Sequence, residues 1–114
     1  MTQPDNASEE RHGLKATVIA QINQVLASFP EIDRAVIYGS RTKGNYKAGS
    51  DIDLALMGDL LTESRLLQLE TRLDDLLLPY KFDLCRFNAL SNQQLIDHIG
   101  RVGKVFYVKP PAET

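Results

Sequence analysis

Ala35-Val36-Ile37-Tyr38-Gly39-Ser40-Arg41-Thr42-Lys43-Gly44, followed after a short linker by Ser50-Asp51-Ile52-Asp53-Leu54, is the stretch whose reading decides the fold. The apolar, β-branched run 35–38 reads as a buried strand ending at Gly39. A strand that stops at Gly-Ser and opens into a helix turns backbone N–H groups outward. Those donors, backed by the positive end of the helix dipole, make a seat for phosphate oxygens. Arg41 and Lys43 add full positive charge beside it.

Strand parity governs the second half of the stretch. If 51–57 is a strand, Asp51 and Asp53 project from one face while Ile52, Leu54 and Leu56 point to the other. Two carboxylates held this close repel one another unless a cation sits with them. Magnesium suits the place, because it takes carboxylate oxygens together with substrate phosphates and keeps some of its waters. A third acid on a neighbouring strand would complete a two-metal site of the phosphoryl-transfer kind. The candidate is Asp83 in Phe82-Asp83-Leu84-Cys85-Arg86-Phe87, a short apolar run just after Pro79-Tyr80 in which Phe82 and Leu84 have the opposite parity. Neither of the common Gly-rich phosphate patterns, Gly-x-x-x-x-Gly-Lys-Ser/Thr or Gly-x-Gly-x-x-Gly, occurs in the chain.

Outward from this stretch, Leu14, Val18, Ile22, Val25 and Phe29 recur every three or four residues and predict an amphipathic helix over 9–28, closed by Pro30, in which Gly13 is a weak point that also admits a start only after it. Thr62 reads as the N-cap of a second helix with Leu66, Leu69, Leu73, Leu76 and Leu77 on one face and Pro79 as its stop. Asp74 and Asp75 belong to its solvated side. Ser91-Asn92-Gln93-Gln94 has the form of a capping box and starts a third helix through Leu95, Ile99 and Val102 to Gly103. Residues 104–108 then form a short strand or an extended tail. Strands and helices interleave, which predicts an α/β (α+β) chain with a small mixed β-sheet covered by helices. The expected organisation is a flexible N-terminus at 1–8, one folded domain at 9–109 and a flexible tail at 110–114.

Composition agrees. The 114 residues are 43% hydrophobic with a net charge of −2, which fits one globular domain of modest core and argues against general nucleic-acid binding. No apolar run has membrane-spanning length and no N-terminal segment has signal-peptide anatomy, so the expected location is the cytoplasm, with no membrane contact. Cys85 is the single cysteine; it excludes an internal disulfide and reads as a small buried hydrophobe. His12 and His98 have no metal-ligand spacing. Tyr38 is expected in the core, and Tyr46 exposed in the linker.

A strand, Gly39-Ser40, a basic Arg41, Gly44 and then Ser50-Asp51-x-Asp53-Leu54 resemble the polymerase-β-type nucleotidyltransferase superfamily, and within it the minimal nucleotidyltransferases (MNT). The resemblance spans nearly the whole chain, since the helices and the strand carrying Asp83 come in the family order. It implies a polymerase-β-like core, catalytic and metal-holding Asp51, Asp53 and Asp83, and a nucleotide at Gly39, Ser40, Arg41, Lys43 and Ser50. It also implies ATP as substrate and two Mg2+ ions. Asp83 becomes the proton acceptor, while Arg41 and Lys43 face the departing pyrophosphate. The family further implies an antitoxin that transfers AMP to a tyrosine of a partner HEPN-domain toxin. At this size the chain has no second lobe to select an acceptor, which is consistent with one supplied by a partner. Two alternatives stand beside this: a non-catalytic nucleotide-binding module that neutralises its partner by occlusion, and a nucleotidyltransferase for a small molecule such as an aminoglycoside.

Overall fold

The computed structural model describes residues 10–47 and 49–111; the expected N-terminal flexible segment and residues 112–114 of the expected tail lie outside them. The chain opens on a small hairpin, β1 (Glu10–Arg11) and β2 (Leu14–Lys15), and then runs α1 (Ala16–Ala27), β3 (Arg34–Tyr38), α2 (Ser40–Lys43), β4 (Ile52–Met57), α3 (Glu63–Asp74), β5 (Phe82–Arg86), a 3-10 turn (Phe87–Ala89), α4 (Gln93–Val102) and β6 (Lys104–Val108).

The long strands form one mixed sheet in the order β5-β4-β3-β6. β3 is antiparallel to β4 and to β6, while β4 and β5 are parallel, joined through the crossover helix α3. Parity sorts the two faces of this sheet. On one, Ile37, Ile52, Leu54 and Leu56 pack with Ile22 and Leu26 of α1 and Leu69 and Leu73 of α3 to make the main core. On the other, Val36, Tyr38 and Ala55 pack under Ile99 of α4, with Cys85, Leu95 and Val102 at the margin. α4 leaves the Asp51 and Asp83 end of this second face exposed. No helix among the described residues is long and apolar enough to cross a membrane.

Three expectations are corrected at element ends. The first helix does not reach back to residue 9 but takes the later of its two expected starts, beginning after Gly13 at Ala16. His12 and Gly13 have φ of 58° and 75° and make the two-residue turn of a hairpin in which Glu10 faces Lys15 and Arg11 faces Leu14. A two-residue turn with positive φ at both positions matches the twist of paired strands. Leu14 is nevertheless fully buried, so its place in the apolar stripe is right although its element is a strand. The second helix stops at Asp74, with Thr62 Oγ1 accepting from the Arg65 N–H at its start as expected. Leu77 lies beyond its end, 87% exposed, at φ 57°, because Pro79 forbids helical backbone at Leu78 and the chain must unwind before it. The third helix is capped by Asn92, whose Oδ1 accepts from the Leu95 N–H at 3.1 Å, one residue later than the Ser91 box suggests. Residues 104–108 are a strand.

Candidate active site

Gly39 ends β3 with φ 85° and ψ −152°, a conformation open in practice to glycine alone. A Cβ at this position would run into Asp53 Oδ2. Gly39 therefore lets the carboxylate of the neighbouring strand lie directly against the backbone where the expected phosphate turn begins. Its carbonyl accepts from the N–H groups of Thr42 and Lys43 and from Thr42 Oγ1, closing α2 into a single turn. The helix behind the expected phosphate seat has only four residues, so its dipole is small, and the oriented N–H groups of the first turn carry most of any attraction for anions.

The register brings the acids together. Asp53 is the partner of Tyr38 across the antiparallel pair and of Asp83 across the parallel pair, so all three point from the second face of the sheet. Neighbouring strands lie about 4.8 Å apart. Asp51 falls one residue before β4 and is exposed. The three do not close into a cage: among the described residues, no group of three His, Cys, Asp or Glu side chains comes together tightly enough to ring a cation. Asp53 nonetheless senses both of the others. Its carboxyl is pushed up to about 6, first by burial, then by Asp83 and Asp51, with Arg41 opposing. Behind it, the Tyr38 hydroxyl and Cys85 Sγ are 3.8 Å apart. Burial and the adjacent sulfur and carboxylates raise Tyr38 far above its ordinary value, and burial raises the Cys85 thiol. Both remain neutral at physiological pH. The Tyr38 ring meets His98 of α4 edge-on, with centroids 6.3 Å apart.

The expected nucleotide-binding residues divide. Gly39 and Ser40 lie at the turn, half-buried, and Lys43 is exposed at the end of α2. Ser50 closes the linker: its Oγ accepts from the Lys47 N–H at 2.8 Å, and its own N–H donates to the Lys47 carbonyl. Arg41 is 3% exposed, which is unlike a side chain turned outward to a phosphate. Its Nε and Nη2 donate to the Ser50 carbonyl at 3.2 and 2.8 Å, and Nη1 donates to the His12 carbonyl at 3.0 Å. Two rings flank the guanidinium carbon, Tyr46 at 5.4 Å and Tyr80 at 4.9 Å. Sequence reasoning missed Tyr80 and the hairpin turn as parts of this region. The available signal for Tyr80 was its place directly after Pro79 and just ahead of the Asp83 strand.

The family model described as polymerase beta, nucleotidyltransferase matches residues 20–112. A search of curated protein sequences found no match. Among solved structures, a chain of a toxin–antitoxin complex crystallised with AMP-PNP superposes with a TM-score of 0.66 at 24% identity, covering 80% of this chain and 73% of that one. A chain of the MntA–HepT toxin–antitoxin gives a TM-score of 0.62 at 21% identity, with 83% and 74% covered. A chain of the tri-AMPylated Shewanella oneidensis HEPN toxin in complex with MNT antitoxin also gives 0.62 at 21% identity, with 82% and 71% covered. At these identities the likeness establishes the fold.

Proposed function

This chain belongs to the polymerase-beta nucleotidyltransferase family, and from that premise we propose that it transfers AMP from ATP to a hydroxyl, a tyrosine, of a HEPN-domain toxin, acting as the antitoxin of the pair. The observation that carries the chemistry is the register of Asp53 with Asp83, against a Gly39 that lets Asp53 lie beside the phosphate turn. The choice of nucleotide and acceptor is supported by the structural neighbours, one crystallised with AMP-PNP and one holding an AMPylated HEPN toxin.

The donor set fits a hard divalent cation. It is all oxygen, and the raised proton affinity of Asp53, with Asp83 and Asp51 among its causes, is that of carboxylates without a neutralising charge. Asp51, Asp53 and Asp83 would hold magnesium. When bound it neutralises phosphate charge and acidifies the attacking hydroxyl.

The chain's own residues then orient the reactants. The N–H groups of the Gly39-Ser40 turn hold phosphate oxygens, and Lys43 meets the charge that grows on the departing pyrophosphate. The acceptor oxygen forms a bond to the α-phosphorus, the bridging bond to the β-phosphate breaks, and the hydroxyl proton passes to Asp83. Pyrophosphate leaves, and the acceptor carries AMP as a phosphodiester.

The test is direct. Wild-type protein with labelled ATP, magnesium and the HEPN partner should label the partner, and the Asp51→Asn, Asp53→Asn double variant should not. Labelling that survives the double substitution overturns the assigned chemistry. Neutralisation of the toxin by an unreactive but folded double variant would point instead to occlusion.

A further inference from the structure

We propose that Arg41 is a positioning residue, a buried clasp that ties the hairpin turn at His12-Gly13 to the Ser50–Asp51 peptide and so sets where the Asp51 carboxylate stands; it does not itself hold a phosphate. The inference rests on the nucleotidyl-transfer reading for the importance of Asp51, and on the observed contacts for the clasp.

Burying a guanidinium is costly unless its N–H groups are satisfied. Among the described residues no carboxylate forms an ion pair with Arg41. Backbone carbonyls take that place instead. Two N–H groups converge on one oxygen, that of Ser50, whose carbonyl carbon is bonded to the nitrogen of Asp51. The third reaches His12. A planar fork makes this pattern and an ammonium point charge does not.

The flanking rings come from the linker, through Tyr46, and from the segment entering β5, through Tyr80 three residues before Asp83. One side chain thus joins the segments that lead into all three carboxylates and the phosphate turn. The hairpin is part of the device. A Cβ on Gly13 would collide with the Tyr46 ring and lie 2.9 Å from Arg41 Nη1. The turn is therefore packed against the clasp with no room to spare.

Three measurements on the full chain test this, using Arg41→Lys, Gly13→Ala and Asp53→Asn. Hydrogen exchange at the Ser50 and Ile52 amides, whose N–H groups donate to the carbonyls of Lys47 and Lys81, should quicken in the first two variants while exchange in α3 stays unchanged, and it should not quicken in Asp53→Asn. Binding of Mn2+ followed by electron paramagnetic resonance without nucleotide should weaken about tenfold in Arg41→Lys, the scale seen when a group that orients a metal ligand is lost. Binding of ATP in excess chelator should stay within about twofold of wild type, because the retained charge touches no phosphate.

Unchanged exchange at Ser50 and Ile52 in Arg41→Lys overturns the clasp, and so does a loss of metal-free ATP binding with Mn2+ affinity intact, which would make Arg41 a phosphate ligand. A purely structural role would lower the melting temperature and leave Mn2+ affinity of the folded fraction untouched, which also overturns it. Failure of the nucleotidyl-transfer reading is distinct: wild type would then label no partner, while the exchange result would still decide the clasp.

Discussion

At Asp53 a single carboxyl group shows what the site demands of the fold. Its affinity for a proton is raised from the ordinary 3.8 to about 6 by burial and by Asp83 and Asp51. The folded chain therefore binds this proton more tightly than the unfolded chain does. In the metal-free protein, stability is lost as pH rises through the window from about 4 to about 6, and the cost persists above it. Asp53→Asn removes an ionised group that the fold dislikes, so its metal-free melting temperature should exceed that of wild type by a few degrees at pH 7.5, with the advantage disappearing near pH 4. Calorimetric melts at both values check this; a variant less stable than wild type at both would contradict it. The alternation of Asp53 with Ile52 and Leu54 was legible because parity is a property of the strand itself, whereas the strand expected over 51–57 begins only at Ile52 and leaves Asp51 outside it. The employment of Arg41 was not. Its partners are carbonyl oxygens, which every residue carries, so no pattern of side chains announces them. A cation next to a phosphate turn reads as a ligand until its neighbours are known.

Among the elements, those with a chemical stop or start were readable and those whose ends depend on tertiary packing were not. Thr62, Gly103 and the run 35–38 all behave as their sequence suggests. The hairpin at 10–15 was concealed because Leu14 keeps the helical spacing of the residues after it, while His12-Gly13 is a less familiar turn pair than Asn-Gly. The end of α3 was concealed by Leu77, which continues the leucine stripe yet stands in the left-handed region in solvent. A side chain with a Cβ is strained there and buries little in return. Leu77→Gly should accordingly stabilise the chain by about 0.5–1 kcal/mol, read as a rise of about 2–6 °C in thermal melts. A fall would show that Leu77 is held by contacts the exposed leucine does not display.

For the molecule as a whole, the sheet divides its labour between two faces. The larger core on the α1 and α3 side stabilises the domain, while the smaller cluster under α4 leaves one end of the other face open for the carboxylates. Mixed sheet and covering helices were both legible from interleaved periodicities. The strand order, and with it the meeting of Asp53 and Asp83, was not contained in any local pattern. A site built this way should be stabilised by what it binds: ATP with magnesium at about 100 times the dissociation constant should add about 2.7 kcal/mol to folding. A thermal-shift titration should show this in wild type and lose it in the Asp51→Asn, Asp53→Asn variant. An equal shift in both would place the nucleotide elsewhere.

The parallel pairing of β4 with β5 has a temporal consequence. Antiparallel β3 and β4 can zip together across the short connection between them, but β5 cannot pair until the whole of α3 has crossed back over the sheet. Closing that longer loop costs more chain entropy, and such non-local pairings form slowly. On the proposed mechanism Asp53 thus waits for Asp83, and a nascent or refolding chain would be chemically silent until its edge strand docks. Recovery of activity after dilution from denaturant is then a clock for that single event, running behind any signal from the β3–β4 pair.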